Sequence, residues 1–170
     1  MVRFLATSLA LSLAVFAACD PQIDDRPVKT LTLTELNDAC TTRVRETPDA
    51  ELRALARLVC TQLDNSPEEC TAEALAECTD GFFATMRAKL RCDFVPEVFA
   101  QAQTCAVSNQ VLLDCIGGYY AMFGDFAQAT CTNLDSIPEP TLPDACKTLA
   151  AACPGLAIDT LEDQVTIQDP

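Results

Sequence analysis

Cysteine is the residue type with the most chemical capacity in this sequence, because eleven residues are Cys and none is His. Cysteine thiolates bind zinc, attack electrophiles and exchange disulfides. Without His, the chain cannot form Ser-His-Asp or Cys-His nucleophile pairs, HExxH zinc sites or His-based proton shuttles. No two cysteines stand in a CxxC arrangement, so neither a zinc ribbon nor a thioredoxin-like redox site is indicated. Structural disulfides are the use that remains.

Acidic residues are the second candidate for chemistry. A predicted helix carries the acidic pairs Glu68/Glu69 and Glu73/Glu77. We interpret them as a solvated helix face rather than as a catalytic carboxylate pair. The run Asp64-Asn65-Ser66 begins like a calcium loop, but Glu69 stands where such a loop requires Gly. Glycine-rich phosphate loops are absent from the sequence. We therefore expect no catalytic residue, no metal, no cofactor and no enzymatic activity.

Residues 1–18 have the pattern of a secretory signal peptide: Arg3 is followed by an uncharged, mainly apolar run. This run is short for a membrane span, which needs about 20 apolar residues. It ends in Val15-Phe16-Ala17-Ala18-Cys19, which resembles a bacterial lipobox, although Phe16 stands where Leu is usual. In a lipobox the cysteine becomes the mature N-terminus and carries acyl chains such as palmitate. The sequence therefore predicts lipidation of Cys19.

Ordinary signal cleavage after Ala17 is the alternative, and it would fit a secreted eukaryotic protein. The parity of the cysteines favours lipidation, because eleven is odd and assigning Cys19 to the lipid leaves an even number. Ten cysteines in an exported protein indicate five disulfides. The predicted disulfide cysteines are Cys40, Cys60, Cys70, Cys78, Cys92, Cys105, Cys115, Cys131, Cys146 and Cys153.

The charge of the chain is strongly negative, at −14. Removal of residues 1–18 takes away Arg3 and no acid, which leaves 25 acids against 10 bases, or −15. Residues 92–170 hold 11 of these acids and a single base, Lys147. Nucleic acid is excluded as a partner because its phosphates require clustered Lys and Arg. Attachment to anionic lipid must likewise depend on acyl chains rather than on a basic surface.

Helix signals follow a polar segment, residues 19–31, that we interpret as an acylated N-terminus and a flexible tether. Thr32 and Glu35 form a capping-box pattern that predicts a helix over 33–45, and Pro48-Asp49 predicts one over 49–63. The further predicted helices are 66–78, opened by Ser66-Pro67 and ended by Asp80-Gly81, then 82–92, 96–103, 109–131 after Ser108, and 144–153.

No segment alternates as a strand does, so the predicted fold is all-α: a disulfide-stapled bundle of about five to six short helices with no sheet. The cysteine-rich helical domain covers 32–155, and residues 156–170 form a loosely held acidic tail. Gly117 and Gly118 in the longest helix predict a kink or a close approach of another helix. Helical hairpins would bring Cys60 to Cys70 and Cys131 to Cys146.

The segment 105–156 contains Leu112-Leu113-Asp114-Cys115 on a capped helix, Cys131, Pro143-x-x-Cys146 and Cys153-Pro154-Gly155-Leu156. This pattern resembles that of the uncharacterised cysteine-rich lipoproteins that are numerous in myxobacterial genomes. Together with the lipobox and the earlier cysteines, it spans most of the chain. The resemblance implies an exported, lipid-anchored helical domain, and the family offers no activity to transfer.

These observations predict a non-catalytic, lipid-anchored extracytoplasmic protein with a structural role in the envelope or an interaction with another macromolecule. We expect it at the outer membrane or cell surface, with the periplasmic face as an alternative, and its protein partner is unidentified. The alternative function is a carrier of a lipid or small apolar ligand between helices. The residues expected to line such a pocket are Val111, Tyr119, Met122, Phe123 and Phe126.

Overall fold

A computed structural model describes residues 25–63, 70–156 and 165–167. Its α-helices are Leu33–Arg45 (α1), Asp49–Leu63 (α2), Ala72–Lys89 (α3), Pro96–Ala102 (α4), Asn109–Ala121 (α5) and Asp144–Ala152 (α6). Short 3₁₀ turns occupy Val28–Thr30, Gly124–Gln128, Leu134–Ser136 and Pro154–Leu156, and two strands are Leu90–Cys92 (β1) and Val165–Ile167 (β2). The prediction of an all-α, disulfide-stapled fold is confirmed.

The first two helices begin and end where the sequence predicts. Thr32 Oγ1 accepts a hydrogen bond from the Glu35 backbone N–H at 3.2 Å, and Glu35 Oε2 accepts one from the Thr32 N–H at 2.8 Å. Arg26 donates to the other Glu35 oxygen at 2.9 Å. The Thr32 N–H and the Arg26 guanidinium together lower the pKa of Glu35 to about 2. The cap of α1 therefore keeps its charge in moderately acidic solution.

Helix α3 departs from the prediction at both ends. The predicted start at Ser66 lies outside the described residues, and the described helix begins after Thr71, whose Oγ1 accepts from the Ala74 N–H at 3.1 Å. The predicted helices 66–78 and 82–92 are wrong as separate elements, because α3 runs without a break through Asp80-Gly81.

Packing explains why Gly81 does not end α3. Leu75, Thr79 and Met86 are buried along one side of the helix on both sides of this glycine. A glycine inside a helix costs only about 1 kcal/mol relative to Ala, which the buried side chains outweigh. The helix ends at Lys89, and the predicted last turn, 90–92, is strand β1 instead.

Helix α5 is shorter than its predicted span of 109–131, since it ends at Ala121 and a 3₁₀ turn follows at Gly124–Gln128. The predicted close approach at its glycines is confirmed. A Cβ atom at Gly118 would lie 2.9 Å from Cβ of Pro143, and one at Gly117 would overlap the guanidinium of Arg43. Because neither glycine has a side chain, the start of α6 can approach α5 at Gly118 and α1 can approach it at Gly117.

The N-terminal segment is bound to the fold from Arg26 onward, so the predicted tether 19–31 is wrong over its last six residues. Val28 and Leu31 are buried in the main core because both are large aliphatic side chains beside α5. The Val28 N–H donates to the Val107 carbonyl at 2.9 Å, and the Asn109 N–H donates to the Arg26 carbonyl at 2.8 Å. This segment therefore belongs to the domain.

The predicted tail 156–170 is also held at its two described points. Leu156 is fully buried, at 0% exposure, next to the disulfide of Cys153. Strand β2 pairs antiparallel with β1, with Leu90 opposite Ile167 and Cys92 opposite Val165. This three-residue pair corrects the expectation of no sheet. It forms because Val165-Thr166-Ile167 is a β-branched run of high strand propensity.

Among the described residues, two clusters of buried side chains form the core. The larger is built from α1, α5, α6 and the segments that cross them, and includes Leu36, Leu112 and Leu149, all 0% exposed. The smaller is formed by Phe123, Phe126 and Ala129, which pack against side chains of α2. The helical domain therefore has a main core and an aromatic satellite.

Candidate functional site

Five disulfides connect the ten cysteines after Cys19. The pairs are Cys40–Cys92, Cys60–Cys78, Cys70–Cys131, Cys105–Cys153 and Cys115–Cys146, with Cα–Cα distances of 5.8, 5.9, 5.8, 5.2 and 4.5 Å. These distances fall within the usual range for a disulfide. All ten predicted cysteines therefore take part, and the prediction of five bridges is confirmed.

The two predicted pairings are wrong. Cys60 of α2 pairs with Cys78 of α3, and Cys70 precedes α3 and reaches Cys131 instead. The error has a geometric cause: the described α3 begins at Ala72, so the residue level with Cys60 in the hairpin lies in the second turn of α3. In the same way Cys146 pairs with Cys115 of α5, because α5 and α6 pack side by side.

The bridges join parts of the chain that are 18 to 61 residues apart in sequence. Cys40–Cys92 ties α1 to β1, and Cys70–Cys131 ties the start of α3 to the segment after the aromatic cluster. Disulfides of this number form and persist in oxidising compartments. The folded chain therefore belongs to an oxidising, extracytoplasmic environment.

Cys19 lies outside the described residues. Because each of the other ten cysteines is already joined to a partner, Cys19 has no cysteine of the same chain to pair with. It must be modified, free or bound to another molecule.

The five residues predicted to line an apolar pocket do not form one group. Phe123 and Phe126 are buried, with ring centroids 6.3 Å apart, and Tyr119 meets Phe123 edge to face at 5.2 Å. Met122 packs against the same cluster, whereas Val111 packs against the main core. The aromatic rings thus pack against one another and against side chains of α2.

Arginine side chains connect helices through contacts that no local sequence pattern indicates. Arg87 of α3 donates to the carbonyls of Arg45 and Thr47 at 2.8 Å and binds Asp49. Because it joins the end of α1 to the start of α2, it fixes the turn between them. The three partners of Arg87 lie far from it in the sequence, so its role can be identified only in the folded structure.

Three further arginines have similar structural roles. Arg43 donates to the Leu113 carbonyl at 3.1 Å and so ties α1 to α5, and Arg57 donates to the Ala129 carbonyl beside the aromatic cluster. Arg53 pairs with Asp80 and lies 4.1 Å above the ring of Phe83. The few cations of this acidic chain are largely used to hold the fold together.

The surface of the described residues includes two open grooves. The first, of about 300 Å³, lies between α2 and α3, and its cations Arg53 and Arg57 are engaged as described. The second, of about 510 Å³, lies between the end of α5 and the loop before α6. We call it the proline groove, and it is lined by Gly118, Ala121, Met122, Asp125, Pro138, Glu139, Pro140, Thr141 and Pro143.

Within the part of the chain that the structure describes, no group of three or more His, Cys, Asp or Glu residues is placed to hold a metal ion. In the same ranges, no helix has the length and apolar character needed to cross a membrane. Comparison of the sequence with models of known families, with curated proteins and with solved structures finds no match. The grooves and the disulfide framework are therefore the features on which a functional argument can rest.

Proposed function

We propose that the protein is a non-catalytic lipoprotein, anchored through acyl chains on Cys19, whose cross-linked helical domain interacts with another macromolecule at the outer membrane or cell surface. The observation that carries this proposal is the complete pairing of the other ten cysteines. It leaves one cysteine, at the end of a lipobox-like sequence, available for lipid. The resemblance to myxobacterial cysteine-rich lipoproteins agrees with this assignment.

An interaction role is supported by how the charges are distributed. The described cations mostly bind carboxylates or carbonyls of the fold itself, as Arg87 and Arg43 do. The acids are in excess and many stay exposed, which produces a negative field over the surface. Such a field attracts basic partners and accelerates their encounter with the domain.

The anchor is tested by expressing the full chain with Cys19→Ser in a lipoprotein-processing bacterium. The unsubstituted protein should carry the mass of the acyl groups at its N-terminus, whereas Cys19→Ser should lack that mass. Ser12→Ala is the matched control, because it changes the same apolar run and leaves the cysteine intact. An unmodified mature N-terminus at Ala18, with a free Cys19 thiol, would contradict the proposal and indicate ordinary signal cleavage.

The carrier function is tested in the same preparation. Native mass spectrometry of the Cys19→Ser protein should show the bare polypeptide, since Phe123 and Phe126 are already buried against each other and against side chains of α2. A co-purifying lipid mass would favour the carrier instead.

A further inference from the structure

The proline groove combines an apolar wall with unpaired negative charge. Pro138, Pro140 and Pro143 form one side, and Met122 and Ala121 of the α5 end form the other. Asp125 and Glu139 line the same groove and are exposed. Within the described residues, neither carboxylate takes part in an ion pair or a side-chain hydrogen bond, unlike Asp49, Asp80 and Asp144.

Among the described residues, no lysine or arginine lines this groove to neutralise the two carboxylates. The surrounding chain adds to the imbalance, since Lys147 is the single base after residue 92 and it is already paired with Asp144 at 2.9 Å. An anionic ligand or an anionic lipid surface would be repelled here. The charge of the groove is instead complementary to a cation.

The shape of the groove indicates which kind of cation it can bind. A volume of about 510 Å³ is within the range of known binding clefts, and its proline wall cannot rearrange freely because each proline ring fixes φ. A wall that is ordered in advance reduces the entropy lost on binding. Lys and Arg side chains suit such a site, because their aliphatic stems cover apolar surface while their charged ends reach the carboxylates.

We propose that the proline groove binds a Lys- or Arg-bearing segment of a partner protein, with apolar side chains on the Met122 and proline walls and the cation at Asp125 and Glu139. This inference rests on the interaction role proposed above and names the class of partner for it.

The test is selection of random 12-residue displayed peptides on the mature protein, followed by fluorescence anisotropy with the selected peptides. We expect the selected sequences to place Lys or Arg beside apolar residues. Asp125→Asn with Glu139→Gln should weaken their binding by about three- to tenfold, because exposed ion pairs are individually weak. Ala121→Arg should weaken it at least as much, since its side chain fills the groove and neutralises one of the two negative charges there.

Two matched variants control for folding and for total charge. Glu77→Gln with Glu97→Gln makes the same change in net charge at exposed positions outside the groove. Ala100→Arg adds the same side chain as Ala121→Arg to an exposed position of α4. Both should retain full affinity. Each variant should also keep the circular dichroism spectrum of the unsubstituted protein and a single cooperative unfolding transition.

The proposal is overturned if no peptide is selected, if the selected peptides lack cations, or if the groove variants and the control variants bind equally. These outcomes are distinct from failure of the anchor. Peptide binding is measured on the mature protein whatever its N-terminus carries, and acylation of Cys19 is measured by mass without any peptide.

Discussion

Gly81 and Gly118 are both helical glycines, but their surroundings are opposite. Apart from its chain neighbours and the backbone of its own helix, no described atom lies within 4 Å of the place where a Cβ would be added to Gly81, whereas Cβ and Cγ of Pro143 lie 2.9 and 3.0 Å from that place at Gly118. The proline ring has little freedom to move aside. One glycine is therefore dispensable, and the other is required for the contact between α5 and the start of α6.

We predict that Gly81→Ala raises the free energy of unfolding by about 1 kcal/mol, through the higher helix propensity of Ala. Gly118→Ala should lower it by about 1–3 kcal/mol, because the added methyl group overpacks the helix contact. Urea unfolding of the oxidised proteins, followed by circular dichroism, measures both. A destabilising Gly81→Ala would mean that α3 is interrupted at this point in solution.

At the scale of elements, the disulfide pairings can be tested by choosing which cysteines are removed together. Cys60→Ala with Cys78→Ala removes one complete bridge, so it should leave no free thiol and lower the free energy of unfolding by about 2–4 kcal/mol. Cys60→Ala with Cys70→Ala instead cuts two bridges and should expose two thiols. Alkylation under denaturing, non-reducing conditions and intact mass count the thiols. If Cys60→Ala with Cys70→Ala left no free thiol and Cys60→Ala with Cys78→Ala left two, Cys60 would instead be paired with Cys70.

The boundaries of α1 and α2 could be predicted because their signals are local. The Thr32 and Glu35 side chains satisfy backbone groups within one turn, so the sequence around them is sufficient. Asp80-Gly81 is also a local signal, and there it misleads, because burial of Leu75 and Met86 on either side depends on contacts with other helices. Local chemistry predicts an end only where tertiary packing does not oppose it.

The pairing of cysteines and the proline groove could not be predicted for the same reason. Each depends on which elements lie side by side, and ten cysteines alone are compatible with many connectivities. The sequence shows three prolines within 138–143. That they face Met122 and Asp125 across a groove depends on α5 ending at Ala121, earlier than its sequence predicts. The number of bridges, in contrast, follows from the even count of ten cysteines after Cys19.

At the scale of the whole molecule, self-repulsion among the excess acids should limit stability. Raising sodium chloride from about 0.01 M to about 1 M shortens the screening length from roughly 30 Å to roughly 3 Å. The melting temperature should therefore rise by about a few degrees, because the described ion pairs are partly exposed and lose little. Calorimetry of the oxidised protein measures this. Glu77→Gln with Glu97→Gln should show a smaller rise, and a fall in melting temperature would contradict the argument.

Residues 26–31 are bound to the fold beside α5, which limits the distance between the domain and a lipid anchor. Five residues lie between Cys19 and Asp25, and even a fully extended chain spans no more than about 22 Å from one to the other. A domain of this size has a radius of gyration of about 14 Å, so its width exceeds that reach. An acylated protein would thus stay against the bilayer with the surface around Arg26 turned towards it, and a partner would have to approach from the opposite side or along the membrane plane.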